Sequence, residues 1–97
     1  MGINQKAIEL RQEELEAFLI EQAAALTIFI AKDHAFSDGN KRTAQQIPST
    51  MFSRWLKGFD DIKCSDNEMY DEIQGIAKGE VLQVEFATWL KQKIIFK

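Results

Sequence analysis

Apolar side chains recur at steps of three and four residues in the first third of the chain, a spacing typical of one face of an α-helix. This pattern predicts a helix from about Gln12 to Lys32. From Ala23 to Ala31 almost every residue is apolar, so we expect that half of the helix to be buried on most sides. The predicted apolar stripe is interrupted only by Gln22 and consists of Leu15, Phe18, Leu19, Leu26, Phe29 and Ile30.

A second helix is predicted after a break over Asp33 to Gly39. We expect it to begin near Lys41, with Asp38 or Asn40 as its N-cap. Pro48 lacks a backbone donor and clashes with the preceding turn, so the helix should kink or restart there. The apolar positions of this helix are Ile47, Met51, Phe52, Trp55 and Leu56.

Two more helices are predicted in the second half of the chain. Residues 65–68 read Ser-Asp-Asn-Glu, a capping box in which the serine and the glutamate each satisfy a backbone amide. The helix that it opens should end at Gly79, and a last helix should run from about Val84 to Ile94. Strand patterns beside a hairpin turn are weak, so we predict a small all-α bundle of about four main helices. The apolar positions of these two helices are Met69, Ile73, Ile76, Phe86, Trp89, Leu90 and Ile94.

Length and charge narrow the class of protein. Ninety-seven residues suffice for one domain, which we place over residues 1–97. A net charge of −3, a pI near 5.1 and scattered Lys and Arg residues argue against a nucleic-acid partner. Cys64, the single cysteine, cannot form an internal disulfide and is interpreted as an idle thiol. The longest apolar run, Leu26 to Ala31, is too short to cross a bilayer, and the N-terminus has no signal-peptide pattern, so we expect a cytoplasmic protein without a membrane partner.

The segment from His34 to Arg42 is unusual for a connection between two helices. It holds the only histidine, a carboxylate, a glycine, an asparagine and two adjacent cations. A helix start binds anions through its unpaired backbone amides, and an arginine can hold two phosphate oxygens. Asp38 could hold Mg²⁺ through one carboxylate, and His34 could accept a proton near neutral pH.

Taken one at a time, these residues favour ordinary structural roles. His34 could donate to carbonyl groups at the end of the first helix, and Phe36 could anchor the loop in the core. Asp38-Gly39-Asn40 is usually a turn and a cap, and Lys41-Arg42 is usually a solvated pair. Only the complete string favours a catalytic site.

That string, residues 34–44, reads His-Ala-Phe-Ser-Asp-Gly-Asn-Lys-Arg-Thr-Ala. It resembles the signature of the Fic/Doc superfamily, His-x-Phe-x-Asp/Glu-Gly/Ala-Asn-Gly/Lys-Arg, at every fixed or restricted position. The resemblance extends more loosely over about residues 26–93. It implies a helical domain that transfers part of ATP, with Mg²⁺, to a hydroxyl group of a protein.

The resemblance also implies a role for each residue of the motif. His34 matches the catalytic base, and Phe36 matches the aromatic residue that fixes the loop. Asp38 matches the Mg²⁺ ligand, and Arg42 matches the arginine that grips phosphate. The anion-binding turn around the phosphates matches Gly39, Asn40 and Lys41.

Two positions favour the Doc (death-on-curing) branch within the superfamily. Members that transfer AMP usually have Gly at the position of Lys41 and a second Arg at the position of Gln45. The Doc branch consists of toxins that phosphorylate a threonine of elongation factor Tu. The resemblance therefore implies a toxin that phosphorylates a translation factor, with an antitoxin as a further partner.

Other sequence features leave alternatives open. AMP transfer to a protein hydroxyl is the second enzymatic hypothesis. Residues 1–32 show no signal for the β-hairpin flap with which relatives align their target, and Pro48 stands where relatives have an unbroken helix. The third hypothesis is therefore an inactive domain of the same fold that binds a partner. Without a flap, we expect the apolar stripe of the first helix to be partly uncovered and to bind a partner helix or form a homodimer.

Overall fold

The computed structural model describes the backbone of residues 5–33 and 38–97, and the side chains of residues 11–32 and 42–97. In this part of the chain it has four helices and two short strands, which confirms the predicted helical fold class. The order is α1 (Gln5–Asp33), α2 (Asp38–Trp55), β1 (Phe59–Ile62), α3 (Asp66–Ala77), α4 (Gln83–Lys93) and β2 (Ile94–Phe96).

Helix α1 begins before its predicted start and packs against α2, α3 and α4. The predicted orientation of α1 is wrong. Its buried face is a narrow band of mostly small side chains, whereas several large apolar residues of the predicted stripe point outward. Small side chains allow neighbouring helices to approach closely, so packing selects this band. The band consists of Ile20, Ala23, Ala24, Thr27 and Ala31.

The expectation that residues 23–31 are buried on most sides is also wrong, because Leu26 and Phe29 are 43% and 54% exposed. Thr27 is the polar residue of the buried band. Its hydroxyl donates to the carbonyl oxygen of Ala23 at 2.7 Å, so the hydroxyl is satisfied within the helix. Helix α1 therefore has two apolar faces, and the core uses only one of them.

Helix α2 begins at Asp38, earlier than predicted, and continues through Pro48 to Trp55. Of the two predicted outcomes at Pro48, a kink or a restart, the restart is therefore wrong. The proline removes one helical hydrogen bond, but its ring is fully buried, and this burial offsets part of the loss. Phe52 is buried as predicted, whereas Trp55 is 64% exposed, so its predicted place in the apolar face is also wrong.

The two strands were not predicted. β1 and β2 pair antiparallel, with Phe59 opposite Phe96 and Ile62 opposite Ile94. Their partners come from distant parts of the chain, so no local turn sequence marks them. Gly58, with a φ of 81°, leads from α2 into β1 through a conformation that favours glycine.

Helices α3 and α4 agree with the prediction. The Ser65 hydroxyl accepts from the Glu68 amide at 3.1 Å, and the Glu68 carboxylate accepts from the Ser65 amide at 3.3 Å. The core forms where these helices meet α1 and α2. Its largest fully buried apolar side chains outside α1 are Pro48, Phe52, Ile73, Ile76, Phe86 and Leu90. Over residues 5–33 and 38–97, none of the helices has the length and apolarity required to traverse a bilayer.

Candidate functional site

The motif lies at the junction of the first two helices. Helix α1 ends at Asp33 and α2 begins at Asp38. His34 and Phe36 stand between these helices and lie outside the described residues. Their predicted roles, as catalytic base and as loop anchor, therefore stay predictions.

The part of the motif that is predicted to bind phosphate forms the first turn of α2. The backbone of Asp38, Gly39, Asn40 and Lys41 is helical, although their side chains lie outside the described part of the chain. Asn40 lies inside the helix, so its alternative role as N-cap is wrong. The first amides of a helix have no acceptor within it and carry partial positive charge. The backbone of these four residues is therefore of the kind that can bind an anion.

Arg42 is the first residue of the motif whose side chain is described. It is exposed and lies at the edge of an open groove of about 490 Å³ between α2 and the start of α3. The α2 side of the groove carries amide and hydroxyl groups, from Gln45, Gln46 and Ser49. A guanidinium, two amides and a hydroxyl offer donors for phosphate and sugar oxygens.

The opposite side of the groove comes from β1 and the start of α3. Its polar residues are Asp61, Ser65, Asp66, Asn67 and Tyr70, with Ile62, Cys64 and Met69 between them. Gln45 joins the two sides, because its side-chain amide donates to the backbone carbonyl of Asp66 at 2.8 Å. This bond and the capping box of α3 hold the far side of the groove in position beside α2.

Burial raises the pKa of the Cys64 thiol, and the Glu68 carboxylate adds to this rise, while Lys93 opposes it. A raised pKa keeps the thiol protonated at neutral pH, and a protonated thiol is a poor nucleophile. This result supports the interpretation of Cys64 as an idle thiol, although the residue lines the groove.

A metal would depend on Asp38, whose side chain lies outside the described residues. Among the side chains of residues 11–32 and 42–97, no group of three His, Cys, Asp or Glu residues could hold a metal ion. A single carboxylate beside phosphate oxygens is nevertheless a common Mg²⁺ arrangement, because Mg²⁺ keeps several waters. The donor set of the motif therefore fits Mg²⁺ only together with a bound phosphate.

The residues on the α3 side of the groove were missed as candidate site residues. The capping box at Ser65 correctly marks where α3 begins. No local pattern shows that this helix start faces α2, because that arrangement depends on tertiary packing. The missed residues with polar side chains include Asp61, Asp66 and Tyr70.

Comparison with known protein families finds a match in the first half of the chain. Residues 4–51 match the model of the family described as Fic/DOC family. The match spans about half of the chain and includes the complete motif, α1 and most of α2. No curated protein and no solved structure matches the chain. The motif, the helical fold and this match together support placing the chain in the Fic/Doc superfamily.

Proposed function

We propose that this chain is a Doc-like protein phosphotransferase of the cytoplasm. In this proposal, it transfers the γ-phosphate of ATP to a hydroxyl of a translation factor such as elongation factor Tu. The observation that carries the proposal is the position of Arg42. Its exposed side chain stands just beyond the first turn of α2 and at the edge of a polar groove. An anion-binding backbone and a phosphate-binding cation thus adjoin a space that could take the rest of a nucleotide.

Each motif residue has a defined task in this reaction. His34 accepts the proton of the target hydroxyl as its oxygen forms a bond to the γ-phosphorus. The bond from that phosphorus to the bridging oxygen breaks, and ADP leaves. The amides of Gly39 to Lys41 and the guanidinium of Arg42 stabilise the charge on the phosphate oxygens. Asp38 would hold Mg²⁺, which neutralises phosphate charge when it is bound.

Gln45 favours phosphate transfer over AMP transfer. Members that transfer AMP usually have an arginine here. In this chain, the Gln45 amide instead donates to the carbonyl oxygen of Asp66. The position therefore links two helices and supplies no second cation for the phosphates. AMP transfer is the alternative reaction, and an inactive binding domain is the alternative class.

Labelled ATP separates these possibilities. The purified chain would be incubated with Mg²⁺ and a bacterial lysate, with ATP labelled at either the γ- or the α-phosphate. Label from γ-ATP alone on a lysate protein supports phosphate transfer. Label from α-ATP means AMP transfer, and no label from either favours the inactive domain. Omission of Mg²⁺ should abolish labelling.

Substitutions test the assigned residues. We expect His34→Ala to reduce the labelling rate by ~10²–10⁴-fold, as is usual for loss of a general base. Arg42→Ala should reduce it by roughly 10–100-fold, through loss of a charged hydrogen bond to phosphate. Arg54→Ala is the matched control, because Arg54 is an exposed cation at the other end of α2. Equal effects of Arg42→Ala and Arg54→Ala would contradict the proposed phosphate site.

A further inference from the structure

The side of α1 that faces away from the core is apolar. We call it the outer face of α1 and define it by Leu15, Phe18, Gln22, Leu26 and Phe29. Leu15, Phe18 and Phe29 are 58%, 57% and 54% exposed, and Leu26 is 43% exposed. At ~100° per residue, these five positions fall within an arc of about 80°, roughly opposite the buried band. They therefore form one continuous stripe.

The size of this stripe indicates a binding surface. About half of the surface of each of its four large apolar side chains is exposed, which gives an exposed apolar area on the order of 400 Å² per copy. Contiguous exposed apolar patches of this size on a monomer often have a binding function. In a dimer, two such stripes and the polar residues beside them would together bury nearly ~1,200 Å² of accessible surface, the total area at which specific interfaces begin.

The order of residues along the stripe is self-complementary. Leu15 and Phe29 are equally far from Gln22 in the sequence, and so are Phe18 and Leu26. Two antiparallel copies with Gln22 at their two-fold axis would therefore place Leu15 against Phe29 and Phe18 against Leu26. Gln22 would meet Gln22 of the partner, where two amides can donate to and accept from each other. A two-fold interface requires this kind of symmetry.

Charges beside the stripe favour the same orientation. Glu14 and Lys32 are both exposed, and their separation along α1 places them on the same flank of the stripe. In an antiparallel pair, this flank of one helix lies beside the same flank of the other helix. Glu14 of one copy therefore comes near Lys32 of the partner. A parallel pair would place Glu14 about 27 Å along the helix axes from Lys32 of the partner, so it would not bring these two charges together.

We propose that this chain forms an antiparallel homodimer through the outer face of α1. The occupant of the stripe is a second copy of the chain, and the buried pair of Gln22 side chains sets the register, as a single polar pair does in coiled coils. Interfaces of this modest size are typical of weak complexes, so we expect a dissociation constant of the order of micromolar. This inference stands independently of the proposed function, because it uses no residue of the motif.

Light scattering tests the dimer directly. At about 100 µM, well above a micromolar dissociation constant, the wild-type chain should have the mass of a dimer. Phe18→Glu should give a monomer with an unchanged circular dichroism spectrum, since Phe18 is outside the core. Val84→Glu is the matched control, because Val84 is 73% exposed but lies on α4. A wild-type monomer at this concentration, or a dimer that survives Phe18→Glu, would overturn the proposal.

Cross-linking tests the orientation. In a Cys64→Ser background, Gln22→Cys should be joined to its partner by a short bifunctional thiol reagent. Leu15→Cys should not, because an antiparallel pair separates the two copies of position 15 by about 21 Å along the helix axes. A parallel dimer would cross-link at both positions, and that result would overturn the antiparallel register.

A charge exchange gives an independent check of the register. Glu14→Lys alone and Lys32→Glu alone should each weaken the dimer severalfold, while the two substitutions together should restore it. Failure of the double variant to recover would contradict the pairing of Glu14 with Lys32 of the partner.

Discussion

Burial raises the pKa of the Glu72 carboxyl, and the nearby carboxylates of Glu85 and then Asp71 raise it further. A carboxyl with a raised pKa in the folded state binds its proton more tightly there than in the unfolded chain. The ionised form of Glu72 therefore opposes folding at neutral pH, and this cost disappears as pH falls through the range in which the carboxyl is protonated.

We predict that Glu72→Gln raises the thermal unfolding temperature slightly at pH 7, because it removes a charge that the fold disfavours. The gain should shrink as the pH is lowered, since the wild-type carboxyl then becomes neutral too. Differential scanning fluorimetry from pH 7 to about pH 4 would measure this trend. Glu80→Gln is the control, because Glu80 is exposed. A Glu72→Gln gain that grows as pH falls would contradict the assignment.

Residue-scale prediction succeeded where a residue acts through its immediate neighbours. The capping roles of Ser65 and Glu68 depend only on residues three apart, and both are confirmed. The exposure of Trp55 was not predicted, because helical spacing identifies an apolar position without showing whether a neighbour covers it. The guanidinium of Arg54, at 5.7 Å from the centroid of the Trp55 ring, instead lies over that ring.

At the scale of elements, the start of α3 depends on its capping box. Ser65→Ala removes the hydroxyl that accepts from the Glu68 amide, so we expect a loss of ~1 kcal/mol in the free energy of unfolding. Urea denaturation would measure the loss. Ser53→Ala is the control, because Ser53 is an exposed serine inside α2, where alanine is the better helix former. Equal stabilities of the two variants would show that the cap contributes little.

The connection between α3 and α4 depends on the close approach of Val81 to Gly75. A Cβ atom at position 75 would lie 2.6 Å from Cγ2 of Val81. The Gly75 carbonyl accepts from the amides of Glu80 and Val81, at 2.8 and 3.1 Å, so Val81 cannot easily withdraw.

We predict that Gly75→Ala destabilises the fold by roughly 1–3 kcal/mol, because the cost of overpacking exceeds the helix propensity gained by alanine. Combining Gly75→Ala with Val81→Ala removes the clashing methyl group, so the two substitutions should cost less together than the sum of their separate effects. Urea denaturation of Gly75→Ala, Val81→Ala and the double variant would measure the three free energies of unfolding that this double-mutant comparison needs. Strict additivity would mean that the two residues do not interact.

The sequence predicted the helices correctly but not the two strands, which depend on pairing between distant segments. Four helices follow from periodicity and caps, and all four are present in the described chain. The strands β1 and β2 were missed because each acquires its partner only after α3 and α4 bring the chain back. Helix α2 continues through Pro48 because the proline is buried in the core, and local rules do not include that burial.

At the scale of the whole molecule, nucleotide binding should involve both sides of the groove. We predict that titration with ATP and Mg²⁺ shifts the amide NMR signals of residues 38–42 and of the groove at Gln45 and Asp66, which a hydrogen bond connects. Asp38→Asn should remove the Mg²⁺ dependence of these shifts. Signals around Leu82, which follows the C-terminal end of α3 and is not among the groove residues, serve as the internal control. Shifts confined to that region would contradict the site.

The sequence by itself determined the helices, the capping box and the motif from residue 34 to residue 44, because each depends on side chains within a few positions of one another. The tertiary structure alone decided which face of α1 enters the core. Both faces are apolar, and only the close approach of α2, α3 and α4 favours the band of small residues over the larger side chains of the outer face. Packing likewise decided that the start of α3 stands opposite Arg42 and forms the groove. Local patterns carry no information about such neighbours. The free energy that favours them comes from burial of apolar surface between segments that are distant in the sequence.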